Sequence, residues 1–365
     1  MSQKGNDRLV LYGEELSRQE LLSRVGDISQ VADIRLFEFT NGNERGVRAA
    51  EFYTGSGFTF TVLFDRGMDI DDARYKGLPV SWQSQTGPVA PAFYESKGAE
   101  LVRQFQGGLL FGCGPTYVGL PSVDEGVELG LHGRLSNIPA KDVCVRKEWK
   151  GADYVMSVEG HMDEVGTGLD SLRVSRRIEA RLGESRLRMR EVVENIGFAR
   201  SPFCLLYHVN IGWPIVSKNS RLHIKSKVQG WTHTPVEMDK WEAFQEPTQG
   251  YLEQLFYHTP EADGDGMANA AVINPAFGGG QGYGVYLRWT WETLPYMVQW
   301  KLMGQKAYVL GLEPSNATSD GRAAVRKAGL LKFLDPGETA ELDMEIGILD
   351  GQAEIAQWLK RNGLG

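Results

Sequence analysis

From Asp33 onward the chain is dominated by period-two alternation, apolar against polar, which is the pattern of strands that turn one face to a core. FTFTVLF sets Phe58, Phe60, Val62 and Phe64 on one face and Thr59, Thr61 and Leu63 on the other. It ends at DRGMDI, where Gly67 permits unusual turn angles. A hairpin is predicted over 172–196. Val174, Ile178, Ala180 and Leu182 alternate with Arg173, Arg177, Glu179 and Arg181; LGES then turns the chain into Leu187, Met189 and Val193. Strand is also predicted over 215–234, 283–290, 296–303 and 306–312, and in LLKFLDPGETAELDMEIGIL. Residues 77–125, rich in Gly and Pro, read as loops and short strands, and 235–268 as a long irregular excursion. Two segments carry helical spacing instead. Residues 13–26 place Leu21, Leu22 and Val25 before Gly26 as a stop, and Asp350 opens a short helix with Ile355, Trp358 and Leu359 facing the body. The expected organisation is an N-terminal helical segment over 1–30 and one all-β domain over 31–365 that ends in a short helix.

Composition narrows the class of partner. With 42% apolar and 24% charged residues, the 365-residue chain can bury a sizeable core. Its formal net charge of −8 argues against nucleic acid or an anionic membrane surface, both of which select basic faces. The arginines of the 172–196 hairpin are therefore read as a solvated sheet face with cross-strand ion pairs rather than an RNA platform. Lys4, Asp7, Arg8, Glu14 and Glu15 interrupt any signal-like apolar stretch, and no apolar run approaches about 18 residues, so a cytoplasmic location is expected. Cys113, Cys144 and Cys204 are odd in number and widely spaced, and are expected to be reduced thiols rather than disulfides or zinc ligands.

No cofactor motif stands up. GGGQGYG, Gly278 to Gly284, leads into the strand YGVYLRW without a following helix, so it reads as a hairpin loop. FGCGPTYVG fails in the same way, and DIDD, Asp69 to Asp72, reads as a turn. No cofactor and no metal are expected. Asn316-Ala317-Thr318 has the glycosylation spacing but lacks a secretion signal.

The informative positions are polar residues in apolar strands. LLYHVNIGWP carries His208 and Asn210 in the middle of a buried run, LGLHGRLSN carries His132 and Arg134, and VLGLEPSNA carries Glu313. Unpaired, such groups cost roughly 1–3 kcal/mol each inside a core, so they are either tied internally or turned into a cavity that binds something polar. His161, His223, His233 and His258 have no such company and read as satisfied or surface histidines. A carboxylate and an imidazole in a partly dry cleft are equipped to move a proton off one oxygen and onto another. A sugar hemiacetal needs this. A base takes the anomeric proton, an acid protonates the ring oxygen, the ring opens, the aldehyde rotates, and closure gives the other anomer.

HGRLSN, YHVNIGWP and GLEPSN, in that order, resemble segments of the aldose 1-epimerase, or galactose mutarotase-like, family, over roughly Val31 to Leu349 and in a divergent branch. The resemblance implies a β-supersandwich, His208 as general acid, Glu313 as general base and His132 as a binding or supporting group. The better-known members carry an Arg in an Asn-Arg context some two dozen residues before the first His, where this chain has GCGPTYVG. Arg66 and Arg134 are the candidates to replace it, and Asn210, Gln299 and Lys301 are the other candidates for sugar hydroxyls. The expected partner is a free or phosphorylated sugar.

Two alternatives remain at this level. His132, His208 and Glu313 could form a two-histidine, one-carboxylate metal set, although the short His-x-His spacing of many metal-binding sandwiches is missing. The chain could also bind a carbohydrate without turnover, with Trp82, Trp213, Trp291 and Trp300 as stacking faces.

Overall fold

The computed structural model describes residues 8–364. Strand makes up 48% of the chain and helix 12%, well above the roughly 20–25% strand of ordinary globular proteins. Every ladder between extended strands is antiparallel among the described residues. Three sheets carry the fold. An eight-stranded sheet runs Lys141–Lys150, Asp153–Val165, Ser171–Arg181, Arg186–Asn195, Thr339–Asp350, Tyr283–Thr290, Met267–Asn274 and Arg221–Ile224, in spatial order. A six-stranded sheet runs Phe111–Cys113, Leu206–Ile211, Tyr308–Ser315, Tyr296–Met303, Gln254–Pro260 and Ser226–Gly230. A five-stranded meander, Asp33–Glu38 through Leu78–Pro79, completes the set.

The alternation seen in the sequence determines which side chains form the core. Phe58, Phe60 and Val62, Val174 and Ile178, and Tyr207, Val209 and Ile211 all enter one apolar cluster that joins the three sheets. Each fully buried large apolar side chain contributes on the order of 1.5–3 kcal/mol. The six-stranded sheet has a second apolar face, where Phe111, Cys113, Leu206, Leu255 and Val298 form a smaller cluster. The candidate site opens on this second face.

The 172–196 hairpin forms as expected, with Arg177 bonded to Glu179 at 3.0 Å and Arg188 to Glu345 at 3.0 Å on its outer face. The C-terminal helix, Gln352–Arg361, packs Ile355, Trp358 and Leu359 against Ala271, Ile273, Tyr286 and Leu349. The three cysteines are free.

The early helix of residues 13–26 is a correction. Glu14–Ser17 is a strand paired with Arg8–Leu11, and the helix is confined to Arg18–Leu22. A capping box sets its start: Ser17 Oγ accepts from the Glu20 amide at 3.2 Å while the Glu20 carboxylate accepts from the Ser17 amide at 2.7 Å. Leu11, Leu16 and Leu21 reach the main core from strand and helix alike, so their burial does not require one continuous helix. The 235–268 excursion also contains a strand, Gln254–Pro260, which is buried on both faces along much of its length and therefore lacks the alternation that reveals strands in sequence.

Candidate functional site

The strands Leu206–Ile211 and Tyr308–Ser315 pair antiparallel, with Val209 opposite Leu312 and Leu206 opposite Ser315. This register puts His208 across from Glu313 on the same face. Their side chains meet with Nε2 and Oε1 3.0 Å apart, and both residues are almost fully buried. Gly311, one pleat along, makes room for them: a β-carbon there would lie 2.7 Å from Glu313 Oε1 and 2.9 Å from His208 Cε1.

His132 completes the group from a separate loop. Its ring centroid lies 6.0 Å from that of His208 at a steep angle. The residue sits at φ 58°, a left-handed conformation that costs a non-glycine residue roughly 1–2 kcal/mol. The turn is held by the His132 amide donating to Gly119 O at 2.9 Å and by the Gly114 amide donating to His132 O at 3.0 Å.

These three side chains form the floor of a cavity of about 280 Å³. Its walls are largely apolar, with Leu101, Leu131 and Leu255 beside Phe105, Trp231 and Trp300. Phe105 and Trp300 each pack edge-on against the His208 ring, at 5.0 and 5.2 Å between centroids. Glu253 stands at the exposed rim and accepts from Trp300 Nε1 at 2.8 Å.

Burial sets the protonation of the floor. It pushes the His208 imidazole down to about 3, with the nearby His132 adding to the shift and the Asn210 side chain opposing it. His132 is lowered to about 4, also by burial. Glu313 is pushed well above the usual carboxylate range by burial, with Glu253 reinforcing the shift. A neutral imidazole beside a protonated carboxyl is the form that costs least in this setting. His132 Nδ1 and His208 Nδ1 have no hydrogen-bond partner, and the 3.0 Å contact between Glu313 Oε1 and His208 Nε2 falls outside hydrogen-bond angles, so the floor presents unmet bonding capacity.

The other expected ligand-binding residues are placed elsewhere. Arg66 is fully buried and donates to Val89 O at 2.5 Å, Gln104 O at 3.1 Å and Gln106 Oε1 at 2.9 Å, which makes it a clamp between loops. Burial lowers its pKa to about 10. Arg134 is exposed, with its guanidinium over the Tyr94 ring at 5.5 Å. Gln299 and Lys301 alternate with Trp300, so they point to the opposite face of the sheet. There Gln299 bonds to His258 Nε2 at 3.0 Å and Trp241 O at 2.6 Å, and Lys301 donates to Lys240 O at 3.0 Å. They pin the 238–244 segment. Asn210 is buried behind the floor and donates to His208 O at 2.9 Å and Gly107 O at 3.2 Å. Of the four tryptophans considered as stacking faces, Trp300 lines the cavity. Phe105, Trp231, Glu253 and Ser319 line it without having been expected, since nothing local in their segments marks them. His258, bonded at both ring nitrogens, is a satisfied core histidine.

Among the described residues, no group of three or more His, Cys, Asp or Glu side chains is arranged to hold a metal ion, and His132, His208 and Glu313 are no exception. No helix among them is long and apolar enough to cross a membrane.

Comparison with solved structures identifies the architecture as the galactose mutarotase-like β-sandwich. A proposed aldose 1-epimerase from Klebsiella pneumoniae superposes with a TM-score of 0.85 at 23% identity, covering 98% of this chain and 94% of that one. A galactose mutarotase-like protein from Clostridium acetobutylicum gives 0.61 at 15%, covering 88% and 99%, and galactose 1-epimerase from Lactobacillus acidophilus gives 0.52 at 11%, covering 88% and 100%. The chain belongs to the family described as "Domain of unknown function (DUF4432)", whose model matches residues 44–348. No curated protein sequence matches it.

Proposed function

We propose that the cavity binds an aldose and that His208 and Glu313 interconvert its anomers by acid/base-catalysed ring opening. The observation that carries this reading is the 3.0 Å approach of His208 Nε2 to Glu313 Oε1 on the floor of a cavity about the size of one sugar ring. The pair needs one proton between its two members. One member removes the proton of the anomeric hydroxyl as C1 becomes a carbonyl and the bond from C1 to the ring oxygen breaks; the other delivers a proton to that oxygen. After rotation about the C1–C2 bond the same steps run backward and restore the pair. Burial raises the carboxyl and lowers the imidazole, so before a sugar binds the proton sits on Glu313, which makes Glu313 the acid and His208 the base of the first step, the reverse of the roles the family resemblance implies. His132 supplies a further hydrogen-bonding group at the same floor. Support also comes from the fold, which is shared with proteins described as aldose or galactose 1-epimerases.

The test is anomer exchange followed by NMR. Replacing Glu313 with Gln keeps the shape but removes the titrating proton, so exchange falls by about 10²–10⁴-fold while sugar binding changes far less. Exchange at the wild-type rate in this variant overturns the assignment. Binding by the wild type without any acceleration of exchange would leave a carbohydrate-binding protein on the same scaffold.

A further inference from the structure

We infer that the ligand is an uncharged monosaccharide with a deoxygenated edge, such as a 6-deoxyhexose, and that sugar phosphates and sugar acids are excluded. This deepens the aldose reading and rests on it. No Arg or Lys lines the cavity among the described residues, and its two carboxylates, Glu253 and Glu313, are the only acidic groups there. Several cations expected at a ligand or close in sequence to the lining are committed elsewhere, and Lys97, two residues before Ala99, is exposed and does not line the cavity. Arg66 is spent on loop carbonyls, Arg134 lies over Tyr94, and Lys301 points to the opposite face of the sheet and bonds to Lys240 O. Arg103, beside the lining residues Leu101 and Val102, bonds to Glu100 at 2.5 Å. A phosphate or carboxylate entering this space would lose its hydration, meet no counter-charge and approach Glu253 at the rim.

The second half of the inference follows from how the polar groups are distributed. His132, His208 and Glu313 gather at the floor, while the walls carry Leu120, Leu131 and Leu255 together with Trp231 and Trp300. Ser319, the one uncharged polar side chain of the wall, shares its hydroxyl with Tyr257 Oη at 3.0 Å and retains only part of its bonding capacity among these apolar neighbours. A sugar whose anomeric centre reaches the floor therefore presses its far edge against apolar side chains. A hydroxymethyl group there is left short of partners, whereas a methyl group is not. At about 280 Å³ the space sits at the small end of ligand cavities, which suits one ring rather than a chain of them.

The experiment compares glucose, galactose and mannose, each as the parent hexose, the 6-deoxy sugar, the uronic acid and the 6-phosphate, by anomer exchange and by ligand-observed NMR binding. The expected order of kcat/KM puts the 6-deoxy sugars about 10-fold or more above their parents, with the uronic acids and phosphates at least about 100-fold below them. Val102→Arg, at a position 60% exposed and so tolerant of charge, narrows the gap between 6-phosphate and parent. Phosphates or uronic acids accepted as well as the parents, or parents preferred over 6-deoxy sugars, overturn the inference and leave the aldose reading intact. If no sugar exchanges, the binding order still decides the inference while the catalytic reading falls. If no sugar binds, both fall.

Discussion

Tyr207 and His208 are consecutive on one strand, and they enter opposite kinds of buried polar environment. Tyr207 points into the main core, where its hydroxyl donates to Glu191 Oε1. The same carboxylate accepts from Arg176 Nε at 2.6 Å, and Arg176 Nη1 reaches Gly67 O at 2.8 Å and Met68 O at 3.2 Å, leaving only Nη2 without a partner. Asp69 lies 3.6 Å from Arg176 and accepts from the Gly112 amide at 2.9 Å and from Ser136. This cluster ties the three sheets together. Burial alone would lower the Arg176 pKa, but Glu191, Tyr207 and Asp69 outweigh it and raise it. His208 points the other way, into the cavity, where neither it nor Glu313 gains an opposite charge. The difference teaches how to tell a structural buried charge from a candidate catalyst: the first is neutralised by partners, while the second is left with bonding capacity facing an open space.

Breaking the first cluster should have the largest effect. Arg176→Met leaves Glu191 buried without its cation and should cost about 3–5 kcal/mol in chemical denaturation, and adding Glu191→Leu should restore much of that loss. If the single variant is as stable as wild type, the two clusters do not differ in the way described.

A smaller effect separates the clusters by pH. Glu313 has a folded pKa above its ordinary 4.5, so above that pH the unfolded chain releases a proton that the folded chain keeps. Its contribution to stability is present below 4.5 and declines as pH rises toward the folded pKa, by about 1.4 kcal/mol per unit. Glu313→Gln removes this dependence. Its stability relative to wild type should climb from about pH 4.5 toward neutrality, and a flat difference would show that the carboxyl is ionised in the fold.

The smallest expected change concerns His132. Asn, with a short side chain that bonds locally, adopts the left-handed conformation more readily, so His132→Asn should raise stability by up to roughly 1 kcal/mol while lowering anomer exchange. A gain in stability with unchanged exchange would make His132 a wall of the cavity and nothing more.

Much of the fold was legible in the sequence because period-two alternation is a direct record of one-sided burial. The strands 283–290 and 296–303 match Tyr283–Thr290 and Tyr296–Met303. Where burial is two-sided, as in Gln254–Pro260, the record disappears. His132, His208 and Glu313 stood out because polar residues in apolar strands require an explanation, whatever the fold. Arg176 went unnoticed although it shares the inward face with Val174 and Ile178, because the surrounding arginines made it look like one more outer-face charge.

The sequence by itself determined the antiparallel β class and the three segments that carry the candidate site, since both follow from local spacing. Tertiary structure alone decided where the other candidate side chains point. Arg66, Arg134, Gln299 and Lys301 looked as suitable for a ligand as His208 did, but the direction of a side chain depends on strand register and on which carbonyls a loop leaves unpaired. Those are set by contacts between segments far apart in the chain. The same holds for the apolar wall, which draws Phe105, Trp231, Leu255 and Trp300 from four separate stretches that meet only once the six-stranded sheet has formed.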